Sequence, residues 1–161
     1  EVSVANTGRV PMPYYAGFHP YFVTPPPPTA KAQARLDFRP ERRWFYNERL
    51  TDVIGEKAPP RPPLSLADPD LNEMLACMGA DKEARLEWPD GWTIHLVAEG
   101  AEDPDLFPFL QFYTQDDLPF YCVEPWMGFP NALNTVAGAR WVAPGQVERG
   151  SLRIWTSTKA V

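Results

Sequence analysis

The chain has 161 residues, 44% hydrophobic and 13% aromatic, with 15 basic and 21 acidic side chains and a formal net charge of −6. That is enough apolar material for one domain with a real core, which argues against disorder over most of the chain. No basic stripe offers a surface for nucleic acid, no apolar run approaches the roughly 20 residues of a membrane helix, and no secretory leader pattern opens the chain.

Cys77 and Cys122 lie far apart. Two such cysteines make no disulfide framework, so a reducing, cytoplasmic setting is expected. The chain opens at Glu1 directly into the alternating Val2-Ser3-Val4, followed by the turn signal Asn6-Thr7-Gly8. A native protein rarely begins in mid-strand, so the chain is expected to be a piece of a longer polypeptide.

In chain order, strands are predicted at residues 2–5, 21–24, 34–38, 84–88, 92–98, 109–114, 120–124, 138–143 and 151–156. Pro89-Asp90-Gly91 and Pro144-Gly145 are the clearest turns between them. A short helix is predicted over 71–78. The 20 prolines cluster at Pro25 to Pro28 and at Pro59, Pro60, Pro62 and Pro63. Proline is excluded from central strands and helix interiors, so both clusters read as extended connectors. Many short strands with turns between them imply an all-β sandwich or barrel, here a single domain over residues 1–161.

Glu124 ends the apolar stretch Tyr121-Cys122-Val123-Glu124-Pro125-Trp126. Pro125 forces the residue before it into extended geometry. A carboxylate held there partly out of water has a raised proton affinity and suits a general base; a capping or ion-pairing role is the plainer alternative. His19, in Gly17-Phe18-His19-Pro20, is fixed by the same device, and Gly17 allows close approach of a ligand or strand. Imidazole transfers protons near neutral pH, although a lone histidine is more often structural. His95 lies in mid-strand without companions in sequence and reads as structural.

Gln111 is an amide amid apolar neighbours and must satisfy backbone groups or read a ligand. Asp68 and Asp70 are candidates for ligand contact or for capping the helix at 71. Trp126 offers a face for a sugar ring. Two histidines and two scattered cysteines show no metal-ligand spacing, and there is no phosphate loop, nucleophile elbow or dinucleotide fingerprint.

Together, Asn6-Thr7-Gly8, Met12-Pro13, Gly17-Phe18-His19-Pro20-Tyr21-Phe22, Gln111-Phe112-Tyr113-Thr114, Val123-Glu124-Pro125-Trp126 with Pro130-Asn131-Ala132, and Ala143-Pro144-Gly145 resemble the aldose 1-epimerase (galactose mutarotase) family. Their order agrees with the second half of that family and spans almost the whole chain. The resemblance implies a β-supersandwich, of which this chain supplies roughly the second half as the C-terminal portion of a larger domain. It implies interconversion of the α and β anomers of an aldose, a hexose, without cofactor or metal. Glu124 then matches the base that takes the proton of the anomeric hydroxyl, and His19 the acid that protonates the ring oxygen. Gln111 matches a sugar-contacting position, and Asp68 or Asp70 the sugar-binding aspartate.

The family also uses an arginine and another histidine from its first half, which has no match here. The chain alone is therefore expected to be inactive and to associate with an N-terminal segment of the same protein or a second copy. Two other readings remain. A hexose-6-phosphate epimerase would need arginines at the site mouth, with Arg42 and Arg43 as candidates. A sugar-binding or regulatory module would have lost the chemistry. Strand parity adds one expectation: a simple hairpin of 109–114 with 120–124 would turn Gln111 away from Glu124, unless a slip, a bulge or non-adjacent pairing intervenes.

Overall fold

The computed structural model describes residues 1–24, 29–115, 117–136 and 138–158. The connector expected at Pro25 to Pro28 lies outside the described residues. The strands are β1 (Val2–Ala5), β2 (Met12–Tyr14), β3 (Tyr21–Val23), β4 (Arg35–Asp37), β5 (Pro40–Tyr46), β6 (Val53–Lys57), β7 (Leu64–Ser65), β8 (Leu75–Met78), β9 (Ala84–Glu87), β10 (Trp92–Gly100), β11 (Phe109–Tyr113), β12 (Phe120–Trp126), β13 (Arg140–Val142) and β14 (Val147–Thr158). Two short helices, α1 (Thr29–Gln33) and α2 (Ala132–Thr135), interrupt them.

Two antiparallel six-stranded sheets face each other. One runs β1-β14-β10-β9-β4-β7, the other β3-β12-β11-β8-β5-β6, and β13 with β2 forms a separate ribbon. Strand alternation sends one side chain in two to the shared core. The first sheet contributes Leu36, Leu86 and Leu96; the second contributes Ala76, Met78, Leu110, Phe112, Tyr121 and Val123, and Phe38 packs among them. A smaller cluster of Tyr14, Ala98, Leu106, Phe107, Met127 and Val142 closes one end.

All nine predicted strands are present. The turn at Pro89-Asp90-Gly91 forms as expected: Gly91 adopts φ +89°, and Asp90 accepts the Trp92 amide at 3.2 Å. Pro59 to Pro63 lie in the connection between β6 and β7, outside regular structure.

The helix expected over 71–78 is a correction. Residues 69–73 turn, and Leu75–Met78 is β8, hydrogen-bonded between β11 and β5. A short apolar run does not distinguish a buried strand from a buried helix segment. Here the open slot in the sheet outweighs the helix propensity of Leu, Ala and Met. The parity condition is met by a one-residue slip from the simple hairpin register. β11 and β12 are adjacent and pair Gln111 directly with Glu124, because the connection between Tyr113 and Cys122 holds an even number of residues. Directly opposed side chains share a face.

Candidate functional site

The second sheet carries polar and titratable side chains on the face turned away from the core. In β12, Tyr121 and Val123 point into the core, so Cys122 and Glu124 project from the other side. Glu124 is only 2% exposed. Burial pushes its carboxyl up to about 7, the neighbouring Glu73 charge adds to the rise, and the Trp126 indole N–H, donating to Oε2 at 3.2 Å, opposes it.

His19 reaches this carboxylate from the loop between β2 and β3. The loop is fastened to β12 by the Phe18 amide donating to the Pro125 carbonyl at 2.9 Å and the Met127 amide donating to that of Ala16 at 2.8 Å. Gly17 makes the approach possible: a Cβ there would lie 2.6 Å from Trp126 Cδ1 and 2.8 Å from the Pro125 oxygen. His19 Nε2 ends 3.3 Å from Glu124 Oε1. The imidazole is half-exposed and stacks on Tyr21, with centroids 4.9 Å apart and planes 10° from parallel.

Gln111 completes the floor. Its carbonyl accepts from the Tyr46 hydroxyl at 2.7 Å, and its amide donates to Glu73 Oε2 at 3.2 Å and to the Phe112 carbonyl at 3.1 Å. Burial beside Glu73 and Glu124 pushes the Tyr46 phenol up, so it stays a donor. Glu73 sits at φ +56° on the turn before β8, its amide bound to the Phe112 carbonyl, and burial pushes its carboxyl up. A non-glycine residue in that region is uncommon and is held by its surroundings. His19, Tyr46, Glu73, Gln111, Glu124 and Trp126, with Leu50, Tyr113 and Pro130, line an open cleft of about 400 Å³.

Of the residues singled out in the sequence, the cleft brings together Glu124, His19, Gln111 and Trp126. Asp68 and Asp70 are not among its lining residues. Asp68 accepts the Asp70 amide at 2.9 Å within a turn, and Asp70 pairs with Arg43 at 3.2 Å. Glu73 and Tyr46 went unnoticed in the sequence. The first lay in the stretch read as helix, the second in a segment not read as strand.

His95 does have companions. Its Nδ1 is 2.7 Å from Glu83 Oε1, its Nε2 is 2.7 Å from Ser157 Oγ, and its ring stacks on Trp155. Ser157 and Trp155 come from β14 and Glu83 from the residue just before β9, which spacing along the chain does not reveal. The same holds for metal-ligating groups: His19, Cys122 and Glu124 place one ligand atom each within 4.8 Å of one another. Burial and the Glu124 charge push the Cys122 thiol up to about 12.

No protein-family profile matches the chain. It is 26% identical over 151 residues to the uncharacterized protein YphB of Escherichia coli K12, covering 90% of this chain and 51% of that one. Three solved structures share its fold. The Slr1438 protein of Synechocystis sp. PCC 6803 superposes with a TM-score of 0.72 at 24% identity, covering 98% of this chain and 49% of that one. A candidate aldose 1-epimerase from Escherichia coli K12 gives 0.71 at 19%, covering 97% and 54%. A galactose mutarotase-like protein from Clostridium acetobutylicum gives 0.74 at 15%, covering 97% and 51%. The fold is thus the galactose mutarotase-like β-supersandwich, and the chain spans about half the length of the proteins it matches. Among the described residues no helix is long and apolar enough to cross a membrane.

Proposed function

We propose that the cleft is the acid–base site of an aldose 1-epimerase, interconverting the α and β anomers of a free aldohexose. The observation that carries this reading is the buried Glu124 carboxylate with His19 Nε2 3.3 Å away, both opening onto one cleft. The anomeric hydroxyl and the ring oxygen of a pyranose share carbon C1. A base for one and an acid for the other must therefore be close neighbours, as these two groups are.

Ionised Glu124 takes the proton of the anomeric hydroxyl while protonated His19 gives one to the ring oxygen. The C1–O5 bond breaks, and C1 becomes an aldehyde. Rotation about C1–C2 presents its other face. Closure reverses the proton transfers, so the protein ends one cycle in the protonation state in which it began. A carboxyl near 7 is suited to this traffic, because it gains and loses a proton at little cost near neutral pH. Gln111, Tyr46 and Glu73 supply hydrogen-bonding groups for sugar hydroxyls, and Trp126 supplies an apolar face for ring C–H groups. Asp68 and Asp70 would reach a sugar only if their turn moved, so Glu73 is the better candidate for the carboxylate that grips it.

Two observations favour a neutral sugar over its 6-phosphate. The cleft carries two carboxylates, and neither Arg42 nor Arg43 lines it: Arg43 pairs with Asp70, and Arg42 lies over the Trp44 ring. A binding module without chemistry has no need of an acid and a base in contact. We further propose that the working protein adds a second half to this sandwich, an N-terminal segment of the same protein or a second copy. Val23, Ile154 and Trp155 are exposed apolar side chains that such a half would cover. Polarimetry on freshly dissolved α-glucose or α-galactose with the complete two-part protein, this chain together with its second half, tests the activity. Loss of rotation faster than the spontaneous rate supports it, and the spontaneous rate alone contradicts it.

A further inference from the structure

The acid–base pair has a third neighbour that mutarotation does not use. Cys122 lies two residues before Glu124 on β12, on the same outward face, and His19 crosses over both. A tetrahedral zinc site has Zn–N and Zn–O bonds of about 2.0–2.2 Å and a Zn–S bond of about 2.3 Å, which sets ligand atoms roughly 3.4–3.6 Å apart. His19 Nε2 and Glu124 Oε1, 3.3 Å apart, already match such an edge. The Cys122 sulfur completes a triangle whose sides are all within 4.8 Å. Two of the three ligands stand on a rigid central strand. The third, His19, is half-exposed at the mouth of the cleft. Its exposure leaves a fourth position for water, so the set is three protein ligands and one open site.

We propose that His19, Cys122 and Glu124 bind a divalent cation with affinity for thiolate, of the zinc class, and that its occupation switches the acid–base pair off. The choice of cation follows from the donors: one sulfur, one imidazole and one carboxylate suit Zn²⁺, whereas magnesium and calcium prefer oxygen alone. Binding displaces the thiol proton to solvent, since a coordinating thiol is deprotonated outright. The blocking follows from geometry. The atoms that would hold the metal are the imidazole nitrogen and carboxylate oxygen that would exchange protons with the sugar. This consequence rests on the mutarotase reading; the metal site itself does not.

The two are separated by reading metal and activity independently. The complete two-part protein, this chain together with its second half, is treated with chelator and titrated with Co²⁺. A thiolate-to-cobalt charge-transfer band in the near ultraviolet is expected, displaced by Zn²⁺ and absent in Cys122→Ser and Cys122→Ala. His19→Ala should retain a weakened band, with cobalt affinity reduced by more than about 100-fold, since losing even an outer partner of a metal site costs about 10–100-fold. Absence of the band, or its persistence in both Cys122 variants, overturns the site. Mutarotation of the same samples, each relative to its own metal-free rate, should be abolished by Zn²⁺ in the wild type and spared in Cys122→Ser. A Cys122-dependent band with mutarotation unaffected by Zn²⁺ overturns the switch. If the metal-free wild type shows no mutarotation, the proposed function fails, and the cobalt spectrum still decides the site.

Discussion

Replacing Trp126 by Phe tests what sets the proton affinity of Glu124. Burial pushes the carboxyl up to about 7, while the indole N–H, 3.2 Å from Oε2, holds it down by favouring the charged form. Phe keeps an aromatic face but removes the donor. A hydrogen bond to a charged group contributes about 1.5–3 kcal/mol. At this ordinary length the lower end applies, which corresponds to about one pKa unit. The carboxyl should move from about 7 to roughly 8. In the proposed mechanism Glu124 acts ionised, so the rate is expected to rise with pH through its pKa. At pH 7 about half of the wild-type carboxylates are ionised and about a tenth of the variant's, which predicts a roughly fivefold slower variant. The two should converge near pH 9. The assay is the pH profile of kcat/KM by polarimetry, and the readout is the position of the acidic limb, which a uniform loss of sugar affinity does not move. A limb that stays in place, or moves to lower pH, refutes the reasoning.

Three further outcomes follow from the same geometry. Between about 4.5 and 7 the native Glu124 holds a proton that the unfolded chain releases, so stability falls as pH rises through that window, by about 3 kcal/mol in all; Glu124→Gln should therefore melt higher than wild type at pH 8 and alike at pH 4, and parallel Tm curves would refute the raised affinity. Gly17→Ala places a methyl against Trp126 and the Pro125 oxygen; it should cost about 1–3 kcal/mol by thermal melt, and it should slow mutarotation by about 100-fold through displacement of His19, since misplacement by about 1 Å costs that much. In analytical ultracentrifugation the chain should sediment with a second half or as a second copy, and a monomer that also unfolds cooperatively would contradict the two-part sandwich.

The fold was legible wherever local signals agreed with the sheet. β1, β10 and β12 show alternation or aromatic and β-branched enrichment between turn residues, and these survive in any context. β5 was missed because Pro40-Glu41-Arg42-Arg43 reads as an exposed charged turn, although the strand pairs on both sides. β8 was missed because Met74 to Met78 satisfies helix and strand patterns equally. Those two errors hid half of the cleft, since Tyr46 ends β5 and Glu73 precedes β8. Glu124 and His19 were legible because each stands beside a proline that fixes its backbone. Their contact depends on Gly17 meeting Trp126, which chain order does not encode. His95 with Glu83 and Ser157, and Cys122 beside His19, were invisible for the same reason.

The central claim is that Glu124 and His19 act as one proton-transfer pair, and a double-mutant cycle in mutarotation measures it most directly. Each group contributes about 10²–10⁴-fold on its own. Glu124→Gln and His19→Asn in the complete two-part protein should each lower kcat by about that factor. The double variant should be little slower than the worse single one, since an acid without its base has little left to do. Polarimetry with α-glucose or α-galactose, corrected for the spontaneous rate, supplies all four values. Near-wild-type kcat in Glu124→Gln, or losses that multiply fully in the double variant, would contradict the pair.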